Sequence, residues 1–254
     1  MSGEIRPSLK AALIASNAGL YAAVGIATYF GLFAPIFGIV RFWPSVVIPA
    51  VYAVLFSPMI GALGAAIGIF ISDMVIHGNA VLSLTVGVPA NFLGFYLLGY
   101  LARRRGGAVS KSMSVILQLV PLILAGALYI SGILENPLTS LLLFGQEVLP
   151  QTVISIVLGV AVAASAVVLA ISIGIIVVRP NYAGLVYASS AGLMLGSLII
   201  GVGVWLFFGL PLFAAPLLFL WTYLTEIPFL VILLPPIVDR VAKSAPERVK
   251  WLKT

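Results

Sequence analysis

Cysteine is absent from this chain, histidine occurs once, and charged residues make up only 8% of its 254 positions. Each scarcity excludes something. Without cysteine there are no disulfides, thiolate metal sites or thiol nucleophiles, although the compartment stays open. A lone histidine, His77, rules out HExxH zinc sites and multi-histidine centres. No GxSG serine motif occurs, so a serine–histidine intramembrane protease is not expected. The phosphate-cradling pattern GxxxxGK[ST] is missing too. Its nearest approach, Gly106 to Lys111, lacks the second glycine before the lysine. The chain is therefore expected to be no enzyme, to hydrolyse no ATP and to carry no cofactor or metal.

What is present is apolar. The chain is 62% hydrophobic, and its mean hydropathy is +1.23. Soluble domains are near a quarter charged, so this composition reads as an integral membrane protein. Glycine (25) and proline (16) are frequent, as suits helices that pack closely or break locally. The net charge of +6 comes without interleaved basic and aromatic residues. It therefore points to membrane orientation rather than to nucleic acid. A single transmembrane domain over 1–254 is expected, with 1–10 and 239–254 as cytoplasmic tails. The first apolar stretch lacks a convincing cleavage site, so it is expected to stay as a span.

Eight apolar stretches can be read: Ala11–Phe33, Trp43–Phe56, Met59–Val75, Leu84–Ala102, Ser112–Leu134, Val148–Val178, Tyr182–Phe208 and Pro211–Val238. The second covers roughly 21 Å as a helix. It joins the third through Ser57-Pro58, so this pair is either two spans or a re-entrant hairpin. With alternating sides, Arg6, Lys10, Arg103, Arg104, Arg105, Lys111, Arg179 and the five basic residues after Val238 share one side. Only Arg41 falls opposite. Such a bias supports an even count with both termini cytoplasmic. The expected fold is an all-α membrane bundle of six to eight transmembrane helices.

Polar side chains inside apolar stretches are costly in hydrocarbon and mark interiors or pockets. Arg41 either snorkels at the outer interface or binds an anionic solute group. Asp73 and His77 stand four apart on one helix face, next to Gly78-Asn79, and either cap the helix together or reach a solute. Asn91 follows Pro89, which loosens the local helix; the amide either repairs that break or binds solute. Glu226 reads as internal glue near Pro228, with ligand binding as the alternative. Trp43 sits in an aromatic belt, and Trp221 is a deeper stacking candidate. The substrate-binding set is thus Arg41, Trp43, His77, Asn79, Asn91 and Trp221. In the first stretch, Ala11 and Ala15, then Ala18 and Ala22, are small residues at helical spacing. They serve either internal packing or a partner surface. No clean internal repeat is visible, which argues against inverted-repeat carriers.

The first 105 residues resemble the substrate-binding S component of energy-coupling factor (ECF) transporters. The resemblance rests on Leu20-Tyr21-Ala22-Ala23, Leu55-Phe56-Ser57-Pro58, the run Gly61 to Gly68, Ser72-Asp73, Gly78-Asn79 and Gly87 to Gly94. Trp221 to Pro228 and Leu234-Pro235-Pro236 fit more loosely. The resemblance implies a prokaryotic cell-membrane protein that binds a vitamin-like micronutrient from outside. It implies docking, through small residues of the first helix (Ala11, Ala15, Ala18, Ala22), onto a membrane coupling (T) subunit carried by two ATPase subunits. The usual core of that family has six helices, and the extra pair here falls between Ser112 and Val178. The rival expectations are a stand-alone ion-coupled secondary transporter using Asp73, His77 or Glu226, and a non-transporting subunit of a membrane complex.

Overall fold

Proline, glycine and serine punctuate the apolar stretches, and the helices begin and end on them. A computed structural model describes residues 6–31, 36–37, 40–104, 107–131 and 151–244. Helix α1 (Pro7–Tyr29) starts on a proline, whose missing N–H costs nothing in a first turn. A two-residue antiparallel pair, β1 (Ile36–Phe37) and β2 (Val40–Arg41), follows. Then come a 3-10 turn (Pro44–Val46) and the nine-residue α2 (Val47–Leu55). Ser57 caps α3 (Pro58–Ile76) by accepting from the Ile60 N–H at 3.1 Å. Asn79 caps the one-turn α4 (Ala80–Leu82), which runs through a π-turn (Ser83–Gly87) into α5 (Val88–Ala102). The remaining helices are α6 (Gly107–Ile130), α7 (Gln151–Val178), α8 (Ala183–Phe208) and α9 (Ala214–Ser244).

Among the described residues seven helical stretches are long and apolar enough to cross a membrane, and the stretch Pro44–Leu55 is shorter. The protein is an all-α multi-pass membrane bundle within the expected six to eight helices. Large apolar side chains face outward, among them Ile123, Val177, Val178, Leu206 and Leu212. The interior is filled by alanine, serine, glycine and leucine. That inversion suits lipid as solvent, where small residues draw backbones together.

Contacts set the helix directions. Asn17 Nδ2, midway along α1, donates to the Ile60 and Gly61 carbonyls near the start of α3, while Tyr29 meets His77 at the ends of both helices. The two helices are therefore parallel, and the chain must return between them. The segment before α2 makes part of that return. Trp43 lies beside Tyr21, eight residues or about 12 Å short of the end of α1. α2 completes it, with Tyr52 Oη 3.0 Å from Ser16 Oγ. So α2 starts inside the bundle and is shorter than a span, while α3 runs its full length. α5 runs antiparallel to both α3 and α8, bringing Asp73 to Ser83 and Gly94 to Gly192. α6 runs parallel to α8, and a buried network joins them to α9. In it Tyr223 Oη donates to Gln118 Oε1 (3.0 Å), and Gln118 Nε2 donates to Ser190 Oγ (2.8 Å).

These directions place the start of α1 and the end of α9 at the same end of the bundle. Arg6, Lys10, Arg103, Arg104, Lys111, Arg179, Arg240 and Lys243 all cluster there. The expected tails are partly helical, since α1 begins at Pro7 and α9 extends to Ser244; residues 1–5 and 245–254 lie outside the described residues. Arg103, just past its span, donates to the Val54 carbonyl at 3.5 Å. Burial lowers its pKa, but a guanidinium stays charged there.

Candidate functional site

A proline creates the local geometry. Pro89, at the second position of α5, has no N–H for the Thr85 carbonyl, and the chain takes a π-turn just before it. The turn presents Ser83 and Gly87 toward α3. Ser83 Oγ donates to Asp73 Oδ2 at 2.6 Å, and a side chain at Gly87 would collide with the same oxygen.

Two cavities flank this turn, one in the half of the bundle away from the basic end and one near its middle. The outer one, about 150 Å³, is lined by Asp73, His77, Asn79, Ser83 and Gly87, with Ile200 and Val204 opposite. The inner one, about 30 Å³, is lined by Asn91, Ser197, Thr222 and Glu226 among small and apolar residues of α5 and α8. Ile200 lines both, so the cavities adjoin. A hydrogen-bonded chain forms the wall beside them. Trp43 Nε1 donates to Tyr21 Oη (3.3 Å), Tyr21 Oη donates to Asn91 Oδ1 (2.8 Å), and Asn91 Nδ2 donates to the Gly87 carbonyl (3.0 Å). Trp43 packs so closely over Gly25 that a Cβ there would lie 2.8 Å from its ring. The Trp43 N–H donates to the Thr225 carbonyl at 3.2 Å, which ties the segment after β2 to the turn of α9 that carries Glu226.

The structure brings His77, Asn79 and Asn91 to these cavities. Asn91 fulfils the repair role, bonding the Gly87 carbonyl, and still faces the inner cavity. Asn79 combines its capping bond to the Leu82 N–H with a place on the outer wall. His77 ends α3 with its ring edge-on to Tyr29. Trp43 supports the wall through Tyr21 rather than lining either cavity. Trp221 lines neither; its Nε1 is buried and has no partner among the described residues. The Arg41 side chain lies outside the described residues.

Two expectations change. Glu226, read as internal glue, lines the inner cavity and has no ion-pair partner among the described residues. Ala18 and Ala22, read as docking residues, are 3% and 4% exposed. They pack inside the bundle; a side chain at Gly68 on α3 would meet the Ala18 carbonyl at 2.8 Å. The small residues of α1 that do face outward include the row Ala11, Ala15, Gly19 and Ala23. Both rows have four-residue spacing, so periodicity alone could not choose between them. Tyr21, Ser83, Ser197 and Thr222 were missed as site residues. Hydroxyls are inexpensive in an apolar helix and carry little signal; Pro89 was the available pointer to the turn.

No protein family, curated protein or solved structure matches the chain.

Proposed function

We propose that this chain is the high-affinity solute-binding S subunit of an ECF-type importer for a vitamin-like micronutrient, in a prokaryotic cell membrane. Its basic end would face the cytoplasm, following the charge rule. The observation that carries the reading is the pair of adjoining cavities, largely apolar but edged by polar side chains, that extend from mid-bundle toward the opposite end. Asp73, Asn91 and Glu226 sit there within apolar spans, where such side chains mark a solute path. The missing phosphate loop fits a subunit whose energy comes from partner ATPases. The outward row Ala11, Ala15, Gly19 and Ala23 suits close approach by a helix of the coupling subunit.

The test uses that row. Gly19 has open space around it, so Gly19→Trp and Ala23→Trp should fold normally. ATP-driven uptake by the full complex should fall tenfold or more in both variants, with solute affinity held within twofold. Unchanged uptake in both would remove this face from docking. Two carboxylates without a salt-bridge partner among the described residues favour one rival, an ion-coupled carrier. That rival predicts uptake by this chain alone.

A further inference from the structure

We infer that the paired cavities select a small, ring-sized organic cation, bearing an amine-type nitrogen that rests against Asp73, with Glu226 as the second carboxylate in the adjoining cavity. This rests on the solute-binding reading and names its substrate class. The charge balance is the first ground. Asp73 and Glu226 line the two cavities, while no lysine or arginine lines either one among the described residues. Ser83 satisfies one oxygen of Asp73 and His77 acts on it electrostatically, but neither carboxylate has a salt-bridge partner among the described residues. An unpaired carboxylate inside a membrane bundle is costly, and a bound cation supplies the missing charge.

The second ground is independent of the acids. Ser197 is fully buried, lines the inner cavity, and its hydroxyl has no partner among the described residues. It is an unused acceptor and donor on the cavity wall, available to a ligand's polar group. Size is the third. A cavity of about 150 Å³ accepts a benzene-sized group. A bare divalent ion suits the site less well, because no three His, Cys, Asp or Glu side chains converge among the described residues. The expectation drawn from Arg41, an anionic or strongly polar solute group, predicts in its anionic form the opposite preference.

Three probes of one size separate these: benzylammonium, benzoate and benzyl alcohol. They are titrated near neutral pH against the purified chain in phosphatidylcholine nanodiscs, followed by tryptophan fluorescence and thermal unfolding. Benzylammonium should bind at least tenfold more tightly than the other two. Asp73→Asn should reduce that preference tenfold or more. Glu226→Gln, which keeps the volume, should reduce it as well and carries the test if Asp73→Asn does not fold. Tighter binding of benzoate, lost in Arg41→Ala, would overturn the cation assignment and leave the solute-binding reading standing. Unchanged preference in both carboxylate variants would also overturn it. If no probe binds and no small molecule is retained on purification, both readings fail.

Discussion

Gly192→Leu is expected to abolish recovery of folded protein. α5 and α8 cross backbone to backbone at Gly94 and Gly192. A Cβ on Gly192 would lie 2.6 Å from the Gly94 carbonyl oxygen and 2.7 Å from Leu98 Cβ. The first of these is backbone, so no rotamer change relieves it. Overpacking a close-packed interior costs about 1–3 kcal/mol even when side chains can shift. Here the helices themselves must part, and α8 also holds Ser190, which anchors the Gln118–Tyr223 network. The expected result is a collapse of the monodisperse peak in size-exclusion chromatography. Gly184→Leu is the control, since nothing lies within 4 Å of a Cβ there. It should elute and melt like the parent.

Asn91→Leu should cost both stability and binding. It removes the acceptor of Tyr21 Oη and the side-chain donor to the Gly87 carbonyl, leaving the buried phenol's proton without its acceptor and only the Trp43 bond on that oxygen. Hydrogen bonds in membrane interiors are each worth about 0.6–2 kcal/mol, so the melting temperature should fall by several degrees. Tyr21 then loses its orientation, and Trp43 with it. Solute affinity should drop by on the order of 2 kcal/mol, about thirtyfold. Tyr21→Phe, which removes only the hydroxyl, should give a smaller loss of the same kind. Equal affinity in Asn91→Leu and the parent would detach this chain of bonds from the site.

Much of the architecture was legible because hydrocarbon enforces it. Apolar length marked the spans, and the basic residues marked one end of the bundle. The path between α1 and α3 was harder. Trp43–Phe56 has the composition of a short span, and only the contact of Trp43 with Tyr21 reveals that it begins partway down. At the site, charge and amide side chains announced themselves: Asp73, His77, Asn79 and Asn91 all reach cavity walls. Which way Glu226 faced was not legible. A carboxylate beside Pro228 has the same local sequence whether it seals a proline break or lines a cavity, and the partners that decide come from α5 and α8. The α1 rows failed for a related reason. Ala18 and Ala15 differ by three positions, most of one turn, and the packing of α3 selects which row is covered.

The central claim is that this chain binds a solute but depends on partners to move it. The most direct measurement takes the small molecule that co-purifies, identified by mass spectrometry, and offers it in labelled form to liposomes holding this chain alone. With sodium and proton gradients imposed, the liposomes should bind about one solute per chain and accumulate none. Adding a coupling subunit, two ATPase subunits and ATP should start accumulation. Sustained gradient-driven uptake by the chain alone would contradict the account and make Asp73 and Glu226 the coupling groups of a carrier.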